Sequence, residues 1–262
     1  MSKNRFDNRV TNELYWNRVW SARGQRLDQL RESDFYYGRN GLISRLIRAR
    51  VGNIAGRSVL EFGGGGANYR LLAMAKWLGA ETTALDFSEE GLSVLRRLFA
   101  MNGCEGSSIH ADICTWTARQ PCDMVVHWGV LEHFLDPLPI LEKSAHALKP
   151  GGDLLFSVPN MEAMAAVLWK KWSPENWSKH VFHSTDLIES TLRRVGFGEI
   201  RSFYFGVPFF KTIEWERRSF AQVPVDLLQK IGSASARVFP MYHRLGHRLI
   251  SMERGFCARK PL

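Results

Sequence analysis

The chain has 262 residues, enough for one enlarged domain or a domain with a small appendage. Its 45% apolar and 23% charged residues are those of an ordinary globular protein and exclude a disordered or fibrous chain. No apolar run approaches the roughly 20 residues that span a bilayer, and Met1 to Leu30 carries no secretory pattern, so the expectation is a cytoplasmic protein. The four cysteines, Cys104, Cys114, Cys122 and Cys257, form no C-x-x-C pair, which fits a reducing compartment and buried small hydrophobes. The net charge of +9 sits in the ends: residues 1–50 hold 11 basic and 5 acidic side chains, residues 201–262 hold 11 and 4, and the centre holds 13 and 17. Basic ends of this kind either attract an anionic substrate, a lipid surface or nucleic acid, or are simply solvated.

The first segment reads as helical, with apolar side chains at Leu14, Trp16, Val19 and Trp20, then Leu42, Ile43, Leu46 and Ile47. It is assigned as an N-terminal helical cap over 1–54, ahead of a main domain over 55–262. From Ser58 short apolar strands alternate with amphipathic helices. The strands are expected at 58–63, 82–87, 107–111, 123–128 and 153–158, with a sixth near 199–205 and a last near 255–260. Ser88 stands where a helix cap belongs, Asp136-Pro137 opens a helix over 137–148, and Lys149-Pro150-Gly151-Gly152 stops it. Ser184 to Asp186 opens a further helix that Gly196 closes. This alternation predicts an α/β fold: a doubly wound, mainly parallel seven-stranded sheet flanked by helices. Two stretches interrupt it and read as helical insertions, 160–183 after the fifth strand and 207–250 between the sixth and seventh.

The segment Val59 to Asn68, VLEFGGGGAN, carries a strand into a glycine-rich turn and then a helix. Glycines let the backbone turn sharply and approach a ligand, and the helix start offers free N–H groups. Asp86 ends the next strand, 21 residues after Gly65, where a carboxylate can accept from ribose hydroxyls. An NAD enzyme would share this much. The dinucleotide fingerprint G-x-G-x-x-G/A fails, however, because its last position falls on Asn68 or Tyr69.

The segment instead resembles motif I of the class I S-adenosylmethionine-dependent methyltransferases, (D/E)-x-G-x-G-x-G, with Glu61, Gly63 and Gly65 in place and Ala67 replacing the last glycine. Further stretches resemble the small-molecule branch, of the ubiquinone-biosynthesis type, in the same order. These are Ala111-Asp112-Ile113, His127 to Phe134 with its V-L-E-H, Leu148 to Gly152, His180 to Phe197, and the closing Ala258 to Pro261. The resemblance covers about residues 55–205 and the final ten. It implies S-adenosyl-L-methionine as cofactor. Glu61, Gly63, Gly64 and Gly65 would lie at its methionine end, Asp86 with Phe87 at the ribose, and Asp112 and Ile113 at the adenine. Trp128 is expected to pack beside the adenosine, and Tyr37, just before a helix that in this family often folds over the cofactor, to cover it.

Such an enzyme aligns an acceptor with an electrophile that the cofactor already supplies, and adds a base where the acceptor is protonated. His133, after the fourth strand, and His180 and His183, before the late helix, are the candidate bases. Trp16, Tyr36, Trp169 and Trp177 are the candidate acceptor contacts, with Trp20 and Trp172 in the same added segments. Glu132 has no second ligand at helical spacing, so no metal site is expected. The partner expected is a small molecule, anionic or aromatic. Nucleic acid is disfavoured because His127-Trp128-Gly129-Val130 replaces the Asp/Asn-Pro-Pro-aromatic motif of the amino-methylating enzymes. The basic amphipathic stretch 225–250 suits a lid, a homodimer contact or a peripheral membrane contact. The alternatives kept open are an RNA or protein methyltransferase and a non-catalytic cofactor-binding partner protein, with an NAD(P) oxidoreductase the weakest.

Overall fold

A computed structural model describes residues 8–23, 27–37, 39–206, 227 and 246–262. Seven strands form one sheet in the order β3-β2-β1-β4-β5-β7-β6. They are β1 (Ser58–Phe62), β2 (Glu81–Asp86), β3 (Ser107–His110), β4 (Cys122–Trp128), β5 (Leu148–Pro159), β6 (Gly198–Phe205) and β7 (Glu253–Arg259). The first five pair in parallel, and β7 runs antiparallel between β5 and β6. The order reverses direction at β1, between β2 and β4, so a crevice opens there at the carboxyl ends of the strands.

Three helices precede the sheet: α1 (Glu13–Arg23), α2 (Glu32–Tyr37) and α3 (Arg39–Arg50). The crossovers are α4 (Tyr69–Leu78), α5 (Glu89–Met101) and α6 (Leu138–Ala147); α7 (Met164–Trp172), α8 (Pro174–Trp177) and α9 (Thr185–Val195) follow β5. Their ends follow local chemistry. The Ser88 side chain accepts from Gly91 N at 3.0 Å, and Ser184 accepts from Leu187 N at 3.1 Å. Asp136 accepts from Leu138 N at 2.9 Å, and Gly196 closes α9 at φ 97°. Lys149 to Gly152 differs from expectation. The residues after α6 already belong to β5, whose pairing with β4 starts at Leu148 and shifts register before Asp153.

The strands alternate their side chains between two apolar layers. Val59, Met124 and Leu155 pack with Ile43, Ile47, Leu71, Leu72, Leu92 and Leu95 under α3, α4 and α5. Leu60, Phe62, Val125 and Phe156 pack with Ile140, Leu141, Ile188 and Leu192 under α6 and α9. Between 160 and 183 the chain forms α7 and α8 around fully buried Trp169, whose Nε1 donates to Asn176 Oδ1 at 2.8 Å. Of the stretch 225–250, only Leu227 and residues 246–250 fall inside the described residues, so the amphipathic pair expected there lies outside them. No helix among the described residues is long and apolar enough to cross a membrane.

One core residue carries a cost. His127, on β4, stacks on its cross-strand neighbour Phe156 with centroids 4.5 Å apart, and neither ring nitrogen has a hydrogen-bond partner among the described residues. Burial pushes its pKa down from 6.5 to about 3, so the ring is neutral in the folded protein. The unfolded chain takes up this proton first, and stability is lost as the pH falls through the window from 6.5 to about 3. His127→Phe keeps the stack and removes the unpaired nitrogens. Denaturant unfolding at pH 7 should show a gain of about 1–3 kcal/mol, with acid unfolding moved to lower pH. An unchanged acid midpoint would contradict this assignment.

Candidate functional site

The turn between β1 and α4 is drawn onto the end of β2 by its own backbone. Gly63 N and Gly64 N both donate to Leu85 O, at 2.8 and 3.2 Å, and Gly65 N donates to Asp86 Oδ2 at 2.9 Å. Gly63 and Gly66 take positive φ, 65° and 82°, which side chains resist. A Cβ on Gly65 would lie 2.7 Å from Asp86 Oδ2, and one on Gly64 would lie 2.7 Å from Ala84 Cβ. Asn68 then starts α4 by accepting from Leu71 N at 3.1 Å, while its amide donates to Glu61 Oε1 at 2.8 Å.

This turn is one wall of a cavity of about 240 Å3 at the strand-order reversal. Gly63, Gly65, Asn68 and Arg70 line it from the turn and α4, and Asp86, Phe87 and Ile113 line it from the ends of β2 and β3. Trp128 and His133 line it from β4 and the 3₁₀ turn that follows, Leu131–His133. The roof is the N-terminal strap, with Arg9, Thr11, Trp16 and Trp20 facing inward. The strap is fastened at several points. Val10 N donates to His133 O at 2.9 Å, Leu135 N donates to Asn8 O at 2.7 Å, and Ser88 Oγ donates to Asn17 Oδ1 at 2.6 Å.

The site's acids are buried. Asp86 Oδ1 accepts from Ser88 N at 2.8 Å, and burial raises its pKa against the pull of these backbone donors. Glu61 is 1% exposed, and its Oε2 has no hydrogen-bond partner among the described residues. Burial pushes its pKa up to about 7, with Arg70 pulling the other way. Glu132, equally enclosed, is pushed by burial to about 8, and its Oε2 also has no such partner.

The three histidines have separate surroundings. His133 Nδ1 donates to Lys179 O at 2.8 Å, which leaves Nε2 with a lone pair, and burial followed by His180 lowers its pKa to about 3. His180 Nδ1 donates to Asn176 O at 2.8 Å, and its ring lies 4.9 Å from that of His133 without lining the cavity. His183 is turned away: Nε2 donates to Phe134 O at 3.0 Å, and its own carbonyl accepts from buried Arg254 at 2.6 Å, so it acts as a tie between loop and β7.

The other candidate residues lie as follows. Gly64 does not line the cavity, because it packs against Ala84 beneath the turn. Glu61 lies behind the lining, on Asn68. Asp112 is also outside the lining: Oδ2 takes Arg9 at 2.5 Å and Oδ1 takes Cys114 N at 2.9 Å, so its neighbours Ala111 and Ile113 are the ones that face inward. Trp169 and Trp177 do not reach the cavity. They pack edge to face 4.9 Å apart, and Trp169 abuts His180 at 4.7 Å, a support behind His133. Trp16 does line it, stacked on Trp20 at 5.7 Å and edge-on to His133 at 5.2 Å. The side chains of Tyr36 and Tyr37 lie outside the described residues.

The fold also supplies a ligand set that sequence spacing could not show. Glu132, His133 and His180 offer one ligand atom each within 4.8 Å of one another, a group able to hold a metal ion. Sequence reasoning missed the roles of Arg9, Thr11, Asn68 and Arg70. Only Asn68 had a signal, as a capping residue type before a helix.

A family model described as a methyltransferase domain matches residues 36–200. The ubiquinone biosynthesis O-methyltransferase of Serratia proteamaculans (strain 568) is 34% identical over 130 residues, 48% of this chain and 52% of that protein. That of Proteus mirabilis (strain HI4320) is 34% identical over 128 residues, 48% and 51% of the two chains. This chain therefore matches about half the length of these relatives. Among solved structures, Haemonchus contortus phosphoethanolamine N-methyltransferase 2 in complex with S-adenosyl-L-methionine superposes with a TM-score of 0.58 at 19% identity, over 88% of this chain and 56% of that one. The cyclase SpnF superposes with a TM-score of 0.62 at 14% identity, over 97% of both chains.

The tightness of the turn gives a direct test. Gly65→Ala places a methyl against the Asp86 carboxylate and should lower unfolding stability by about 1–3 kcal/mol in denaturant titration. A wild-type midpoint would show that the turn has room to spare.

Proposed function

Because this chain belongs to the methyltransferase domain family, of the class I S-adenosylmethionine-dependent kind, we propose that it transfers a methyl group from that cofactor to a hydroxyl of a small, flat or anionic molecule. The observation that carries the reading is a cavity at the strand-order reversal, bounded at once by the glycine turn, Asp86 and the lone-pair side of His133. The residues fit the cofactor. Asp86 is placed to take ribose hydroxyls, and Glu61, behind the glycine turn, steadies through Asn68 the wall that would receive the methionine end. Phe87, Ile113 and Trp128 offer apolar faces to a nucleoside.

When bound, the cofactor supplies a methyl group on a sulfonium, already electrophilic. The chain's part is to position, dry and deprotonate. Trp16 and Trp20 roof the cavity and exclude water, leaving a flat surface for the acceptor. His133, held by its Nδ1–H···O=C bond to Lys179, offers Nε2 to the acceptor's hydroxyl proton. An oxygen acceptor also agrees with the relatives, which are O-methyltransferases. A second reading is favoured by the convergence of Glu132, His133 and His180: a divalent cation held there would bind the acceptor's oxygen directly.

Calorimetry tests the cofactor. S-adenosylhomocysteine should bind and NAD should not, and Asp86→Ala should weaken the former at least about tenfold. Binding of NAD in its place would end the proposal. Turnover is tested by feeding methyl-labelled cofactor and cell extract to the protein and seeking one product that gains a methyl. With His133 acting directly, that turnover persists in EDTA and is lost in His133→Ala; loss in EDTA selects the cation reading.

A further inference from the structure

We propose that a second cavity, at the end of the sheet opposite the crevice, binds a phosphate dianion, either the free ion or the head of a small phosphomonoester. The site is independent of the methyltransferase reading and shares no residue with it.

The cavity measures about 60 Å3 and lies between the end of α3 and the β5, β7 and β6 side of the sheet. A water needs roughly 10–15 Å3 of such space, so there is room for one small oxyanion. Strand register builds the walls. Asp153 pairs with Arg259 and Leu155 with Cys257 across β5 and β7, and Arg201 pairs with Cys257 across β6 and β7. Cross-strand partners, and residues two apart on a strand, share a face. Arg201, Cys257, Arg259 and Asp153 therefore stand on one side, where Cys257 packs with Ile43 and Ile47 of α3. A register shift between Gly198 and Arg201, with Glu199 at φ 46°, turns β6 at this point. Arg50, the last residue of α3, comes in from above, its guanidinium 4.7 Å over the ring of Phe203.

The charges of the lining do not balance. Its two acids are matched: Asp153 is held by Arg57 at 2.7 Å and by Arg259 at 3.0 Å, and Glu199 lies 3.7 Å from Arg259. Arg50 and Arg201, also in the lining, make no hydrogen bond or ion pair among the described residues. Both approach the Cys257 sulfur. Burial pushes that thiol up, and Arg50 and then Arg201 pull it the other way. Two guanidiniums thus converge on one concavity with no acid of their own. Their mutual repulsion becomes attraction when a dianion sits between them. The planar forks match phosphate oxygens, and a tetrahedral group has enough oxygens to serve both.

The experiment titrates inorganic phosphate, and separately phenyl phosphate, into the protein at constant ionic strength and follows binding by phosphorus NMR line broadening. The wild type is compared with Arg50→Gln, Arg201→Gln, the double variant and Glu199→Gln. Each single arginine variant should weaken phosphate about tenfold, and the double variant should weaken it further. Glu199→Gln should tighten it by about two- to threefold, because a negative charge leaves the lining, and a misfolded protein could not mimic that gain. Tighter binding of inorganic phosphate selects the free ion, and tighter binding of phenyl phosphate selects the phosphomonoester. A double variant that binds phosphate as the wild type does overturns the site. So does a wild type that broadens neither signal in the millimolar range, or a Glu199→Gln protein that binds more weakly.

Discussion

The architecture depends on a contact between backbone and carboxylate: Gly65 N–H on Asp86 Oδ2, with Ser88 N–H on the other oxygen. It ties the turn after β1 to the turn after β2 and holds Asp86 at the cavity's edge despite the cost of burying an acid. No residue larger than glycine fits at Gly65 without moving Asp86, and Gly66 leaves space that Trp20 fills. Sheet order, crevice and roof therefore meet at a few backbone atoms. This junction lies at the strand-order reversal, where an open α/β sheet has room for a ligand.

What the sequence made legible was local. Ser88, Ser184 and Gly196 announce helix ends because caps act over three or four residues. The glycine turn and Asp86 are legible because a strand, a tight turn and a helix start are one short chemical unit. The unread part of the site comes from long-range approach. Arg9 reaches Asp112 across 103 positions, and His133 meets Lys179 across 46. No period or spacing encodes such pairs. Trp169 shows the complementary limit: from sequence a tryptophan in an insertion is an acceptor contact or packing, and only its burial and its bond to Asn176 decide for packing.

The insertion after β5 acts on the site from behind. Trp177, Trp169, His180, His133, Trp16 and Trp20 touch ring to ring in that order, from α8 to the roof over the glycine turn. Rings have few torsions and pack densely, so this row sets the plane of His133 more firmly than its single bond to Lys179 could. The strap and the insertion, far apart in the chain, thereby become two halves of one clamp on the same imidazole.

The placement of β7 has a bearing on biosynthesis. The strand fills the gap between β5 and β6, almost fifty residues after β6 has been made. While the chain emerges from the ribosome, β3, β2, β1, β4 and β5 can associate in parallel, but among the described strands β5 keeps a bare outer edge and β6 has no neighbour to pair with until residue 259 is released. Buried Arg254, which secures the loop around His183, arrives equally late. The nascent protein thus passes through a stage with one open flank, the form most exposed to edge-to-edge association.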